Sequence, residues 1–228
     1  LRVPELPAPV IRNEPVASAD PIRQRIMDTG ERLFSERGYA ATSMREITSE
    51  AGVNLAAVNY YFGSKENLYI EIIARAVAPI NAGRFRLLDA VEAAAGVHPP
   101  RVEDILEAFA RPCFEISHRP GTQTTLRLLA KSLHENEHFM HLIMEREWKP
   151  IAERFYAALL RTLPGASSER LFWAFHFAVG GLIHAVTQEQ VLEHLTHGLC
   201  RPGDMETSLR RWICFSAAGL RAAVEEEP

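Results

Sequence analysis

His134-Glu135-Asn136-Glu137-His138, with His141 close behind, spells H-E-x-x-H. On a helix, two histidines four residues apart share a face and can hold zinc, while the Glu beside the first polarises a water for hydrolysis. Such a helix is normally buried, with apolar residues at the inner positions. Here those positions are Asn136 and Glu137, and the segment straddles a boundary between two helical patterns. A zinc-dependent hydrolase is therefore the unfavoured alternative. The chain is not read as an enzyme, and no cofactor is assigned. Neither a glycine-rich phosphate loop nor a G-x-S-x-G turn accompanies the motif.

A second constellation suits binding rather than catalysis. In SMREITSEAGVNLAAVNYYFGSK (43–65), an apolar run is interrupted once by Gly52-Val53-Asn54 and halts at Gly63-Ser64-Lys65. The spacing predicts a helix starting at Met44 behind a Ser43/Glu46 capping box and closed by Ala51-Gly52. Asn54 then caps a helix over 55–62, and Ser64 caps another that runs from Lys65 beyond Val77. Gly52 supplies the left-handed backbone that the turn needs, and Val53 fills the angle. Two short helices about a tight turn make a helix-turn-helix.

On the wheel of 55–62, Ala57, Val58 and Tyr61 fall on one side. Leu55, Ala56, Asn59 and Tyr60 fall on the other, with Phe62 at the border. Small residues near the tip would let the backbone approach base edges in a major groove. Asn59 suits an adenine edge, and Leu55 and Ala56 suit thymine methyls. Thr42, Ser43, Arg45, Asn54, Tyr60, Tyr61 and Lys65 complete the expected contact set, with Lys65 at a helix N-terminus where phosphate is favoured. Residues 21–81 hold seven basic and seven acidic side chains, so charge adds nothing to this reading. A helical dimer working through protein contacts without DNA remains a further alternative.

The rest of the chain must position this unit. Its 228 residues are 47% hydrophobic and 24% charged, with a net charge of −4, which suits a globular protein rather than one that coats nucleic acid. No apolar run reaches the roughly 18 residues of a membrane span, and no membrane association is expected. Residues 1–20 carry four prolines, lack the features of a signal peptide, and read as a disordered arm. Three unpaired cysteines fit a reducing cytoplasm. A first helix shows Ile22, Ile26, Leu33 and Phe34 on one face and ends at Gly38. Longer helices are expected at 102–118, 122–135, 138–161, 168–196 and 204–225, with Pro79, Pro112 and Pro150 each kinking or splitting one. The fold class is all-α: a three-helix unit at 21–81 and a larger helical domain at 82–228.

GYAATSMREITSEAGVNLAAVNYYFGSKENLY (38–69) resembles the DNA-binding head of the TetR family of bacterial transcriptional regulators. The shared features are Phe34, Gly38-Tyr39, Thr42-Ser43, Ile47, Ala51-Gly52-Val53, Val58, Tyr60, Phe62, Lys65 and Leu68. Family members usually carry an aromatic residue where this chain has Asn59. The resemblance implies a ligand-controlled DNA-binding homodimer, most simply a repressor, with a helical effector pocket and a dimer surface on its last two long helices. Wording such as NLAAVNYYFGSK is similar to a subgroup that includes regulators of fatty-acid metabolism and drug response, so a fatty, acyl or xenobiotic effector is the expectation.

The larger domain allows both features. Phe109, Cys113, Met140, Met144, Trp148, Phe155, Trp173, His176 and His184 are pocket candidates, apolar walls with a few polar groups. The helix at 168–196 is apolar nearly all round, which calls for partners on several sides. Its stripe of Phe175, Val179 and Leu182, with Leu209, Trp212, Ile213 and Leu220 of the last helix, is the expected dimer interface. Trp173, Phe177 and Ala185 lie off that stripe.

Overall fold

The computed structural model describes residues 20–132, 141–201 and 203–224, and every described element is helical. The proline-rich N-terminal segment before Asp20 lies outside the described residues. Asp20 opens the fold by accepting from the Ile22 backbone N–H, capping α1 (Pro21–Arg37). Gly38 closes α1 at φ 82. Three short-range signals then act as the sequence predicts. The Ser43/Glu46 capping box starts α2 (Met44–Ala51), Asn54 caps α3 (Leu55–Phe62), and Ser64 caps α4 (Lys65–Ala95).

The head core gathers Ile26, Leu33, Phe34, Ile47, Val58, Phe62, Leu68 and Ile72 around Tyr69, which meets Phe34 edge-on at 5.0 Å. Ile22, expected on that face, is more than a third exposed. It sits in the first turn of α1 and is not part of the head core.

Beyond the head come α5 (Val102–Ser117) and α6 (Gln123–Ser132). A π-helical turn (Met144–Trp148) leads into α7 (Lys149–Thr162), followed by α8 (Ser168–Thr187), α9 (Glu189–Leu195) and α10 (Met205–Ala222). Here the sequence expectations need two corrections. Pro79 and Pro112 split neither α4 nor α5; only Pro150 coincides with a break, in the first turn of α7 behind the π turn. The expected 168–196 helix is two helices, parted at Gln188, where the backbone leaves the helical region at φ −129 and ψ 26. The fourth helix runs from Lys65 beyond Val77 as expected and continues to Ala95, so one helix crosses from head to body.

The body core joins Leu88 of α4 to Phe109, Phe114, Phe155, Leu171, Phe175, Leu209 and Leu220. Gly83 allows close packing of α4 on α5: a β-carbon there would lie 3.1 Å from the Pro112 ring. Head and body share a buried seam, because Leu128 of α6 and Ile143 pack into the head core and α6 lies along α1.

Candidate functional site

The turn between α2 and α3 is built by hydrogen bonds rather than by apolar content. Gly52 takes the left-handed conformation (φ 63, ψ 39), and the Val53 N–H donates to the Thr48 carbonyl at 3.0 Å. The Asn54 side chain accepts from the Ala57 N–H at 2.8 Å and fixes the angle at which α3 departs. Val58 and Phe62 are buried and anchor the back of α3. Its front, Leu55, Ala56, Asn59 and Tyr60, is exposed, as the wheel predicts. Ser43 and Arg45 are exposed beside it at the start of α2.

Two expected phosphate contacts point inward instead. Thr42 is 1% exposed, and its hydroxyl donates to the Gly38 carbonyl at 2.8 Å, so it stabilises the α1–α2 corner. Tyr61 is half-buried, and its hydroxyl donates to the Asp20 carboxylate. That bond holds Asp20 below the usual carboxylate range and pushes the Tyr61 phenol up. Tyr61 thus ties α3 to the cap of α1. Lys65 stands at the N-terminus of α4 with its ammonium 4.1 Å above the Tyr39 ring, a cation–π contact that holds the charge at the first turn of the helix.

A cavity of about 70 Å³ lies where α4, α5, α6, the π turn and α8 meet. Of the sequence-chosen pocket residues it brings in Cys113 and Trp148. Val179 and Leu182, expected at a dimer surface, also line it. Phe109 and Phe155 are core residues, stacked edge-to-face at 5.1 Å. Met144, Trp173, His176 and His184 are exposed on the outside, and Met140 lies outside the described residues. Sequence reasoning missed Arg84, Val77 and Ile80 of α4. The signal was present: positions 77, 80, 84 and 88 fall on one helical stripe, so Arg84 sits where the pattern demands an apolar residue.

The two faces of α8 are also exchanged. Phe175, Leu209, Trp212, Ile213 and Leu220 are buried against their own chain, and Trp212 Nε1 donates to the Ala178 carbonyl at 3.0 Å. In the single chain they offer little surface to a partner. The exposed face carries Phe172, Trp173 and Phe177 of α8 and Phe215 of α10, flanked by the open Gly180 and Gly219.

The His134–His138 motif lies outside the described residues, and His141 is exposed. Among the described residues no group of three His, Cys, Asp or Glu side chains could hold a metal, and no helix is long and apolar enough to cross a membrane.

A compact helical head with one small-residue face outward, a long connecting helix and a hollow helical body together form the architecture of a helix-turn-helix transcriptional regulator. The family model described as "Bacterial regulatory proteins, tetR family" matches residues 26–72, and "Tetracyclin repressor-like, C-terminal domain" matches 107–219. The chain belongs to the TetR family.

Among curated relatives, the HTH-type transcriptional dual regulator CecR of Shigella flexneri is 39% identical over 79 residues, which cover 35% of this chain and 29% of that protein. The regulator AcrR of Shigella flexneri is 43% identical over 54 residues, covering 24% and 25%. The match therefore spans under a third of either relative. Solved structures agree over nearly the whole chain in fold alone. The fatty acid degradation regulator FadR from Bacillus halodurans superposes with a TM-score of 0.62 at 16% identity, covering 90% of this chain and 99% of that one. SmeT, repressor of the Stenotrophomonas maltophilia multidrug efflux pump SmeDEF, gives 0.61 at 18% identity, covering 87% and 91%.

Proposed function

We propose that the chain is a repressor that binds a near-palindromic operator in the cytoplasm as a homodimer, and that a small, largely apolar effector filling the cavity releases it. Residues 21–81 serve as the reading head and 82–228 as the sensing and pairing domain. The observation that carries this reading is the two-sided character of α3: Val58 and Phe62 buried, Leu55, Ala56 and Asn59 exposed. An eight-residue helix with a small-residue tip and a firmly held back suits entry into a major groove. Ser43, Arg45, Tyr60 and Lys65 surround it with phosphate-seeking groups.

Two heads engage one face of the duplex when their reading helices stand about 34–36 Å apart, one helical turn. The exposed aromatic face of α8 and α10 supports a four-helix interface that sets this spacing. Cavity walls shared with the head core support the release step. Leu129 and Trp148 line the cavity and also pack against the head cluster, while Val77 lies on α4. An effector that parts these walls shifts the angle of the head; a coupling of about 1–3 kcal/mol changes operator affinity about 5- to 150-fold. The solved neighbours described as regulators of fatty acid degradation and of drug efflux support a fatty, acyl or xenobiotic effector class.

A mobility-shift titration on the DNA upstream of the chain's own coding sequence tests the reading. Wild type should retard that fragment ahead of a scrambled one, and Lys65→Ala should weaken both alike with a shallower salt dependence. Equal, weak binding of wild type to both fragments would refute sequence-specific regulation and favour the alternative of a dimer acting through protein contacts.

A further inference from the structure

Arg84 is an anomaly inside the cavity wall. It is 2% exposed, yet none of the ion pairs among the described residues includes it. Its Nε donates to the Phe109 carbonyl at 2.9 Å, Nη1 to Asn81 Oδ1 at 3.2 Å, and Nη2 to Cys113 Sγ at 3.1 Å. All three acceptors are neutral in their ordinary forms. The guanidinium lies 4.0 Å from the centre of the Phe109 ring and 5.6 Å from that of Trp148. Burial pushes its pKa down, but an arginine stays charged in a protein. Five N–H donors are present and three are used, so two remain. A buried cation without a carboxylate is costly unless something pairs with it.

Most of the other walls are apolar, among them Val77, Ile80, Leu126, Leu129, Val179 and Leu182; Thr187 is a polar exception, and its hydroxyl is taken up by the Ile183 carbonyl. We infer that Arg84 is the anchor for an anionic head group, so that the molecule taken up by the cavity is a hydrophobic carboxylate, its alkyl or aryl tail lying among the leucines and valines. The inference rests on the cavity being the effector site and adds the charge of its occupant. A carboxylate offers two acceptor oxygens to the two spare donors, the strong charge-assisted pairing that arginine makes best. The cavity of about 70 Å³ is smaller than the about 150 Å³ of a cavity that takes benzene. A tail must therefore push α6 or α8 outward, and Leu129 of α6 carries that displacement to the head core.

Calorimetric titration of the full chain with sodium octanoate and benzoate, and with the matched neutral octanamide and benzamide, tests this. Wild type should bind the carboxylates about 10- to 100-fold tighter than the amides. Arg84→Met should bring the ratio within threefold while leaving amide binding in place, with a melting temperature equal to or above wild type because an unpaired charge has been removed. Arg84→Lys should keep part of the preference, and this variant with wild type decides the matter should Arg84→Met fail to fold. Equal binding of carboxylate and amide by wild type overturns the inference, as does a preference that survives Arg84→Met. Amides that bind and release DNA as well as carboxylates do would sink the anionic anchor alone. If no probe binds, the cavity's role as effector site falls with it.

Discussion

Replacing Phe177 by Ala should weaken the proposed homodimer while leaving each subunit folded. The residue is 65% exposed in the single chain, and it lines the same surface hollow as Phe215, which is 75% exposed. An aromatic side chain buries about 200 Å² when fully covered. Closing the interface would thus take about 130 Å² of Phe177 out of water on each subunit. At about 25 cal/mol per Å² this contributes about 3 kcal/mol per copy as an upper value. A two-fold interface counts every residue twice, so the substitution costs the dimer about 4–6 kcal/mol, a Kd about 10³- to 10⁴-fold weaker. Equilibrium sedimentation across a concentration series reads this directly, and circular dichroism confirms the helices. The cooperative shift on a full operator should collapse in parallel. A Kd within threefold of wild type would refute the placement of the interface on this face of α8 and α10.

Three further outcomes follow from local structure. Gly52→Ala should cost about 1–2 kcal/mol through left-handed backbone strain alone, since its new methyl would meet nothing within 4 Å; urea melts give the value. Gly30→Ala should cost at most about 2 kcal/mol by a different route, because its β-carbon would lie 2.7 Å from Ile72 Cδ1 in the α1–α4 seam, an overpacking offset by about 1 kcal/mol of gained helix propensity. Glu92 is held below the usual carboxylate range by Arg154, with Arg161 adding to the effect. A depressed folded pKa contributes stability that is full above the unfolded value, about 4.3, and is lost as pH falls through the lower folded value. Glu92→Gln should therefore lower stability at neutral pH and flatten its decline below about pH 5, read from melting temperatures along a pH series.

The short helices of the head were legible because each carries its own start and stop: Ser43 with Glu46, Gly52 with Asn54, Ser64 after Gly63. Such signals act within four residues and depend little on the rest of the fold. The burial of Thr42 and Tyr61 was not legible, because it depends on partners further off in the chain, the Leu33 carbonyl of α1 and the Asp20 carboxylate at its cap. In α8 the difficulty was phase. With Phe172, Trp173, Phe175 and Phe177 in succession, apolar content surrounds the helix, and nothing local marks which side meets the chain's own core. The parting of α8 from α9 at Gln188 lacks a Gly or Pro to announce it. The cavity needs four helices and a π turn to converge, so of the residues chosen from sequence only Cys113 and Trp148 fall in it, while Arg84 left its trace as a charge on an apolar stripe.

The most direct measurement is an anisotropy titration of Asn59→Ala against the operator and a scrambled duplex at fixed salt. Asn59 is exposed, and its side chain contributes nothing to the head core. Losing a base-edge contact costs about 1–3 kcal/mol at each half-site. The account therefore expects operator affinity to fall by at least tenfold, scrambled-duplex affinity to stay within twofold, and the melting temperature to hold. An operator affinity that does not change, or a loss shared equally by both duplexes, would contradict the claim that α3 reads the bases.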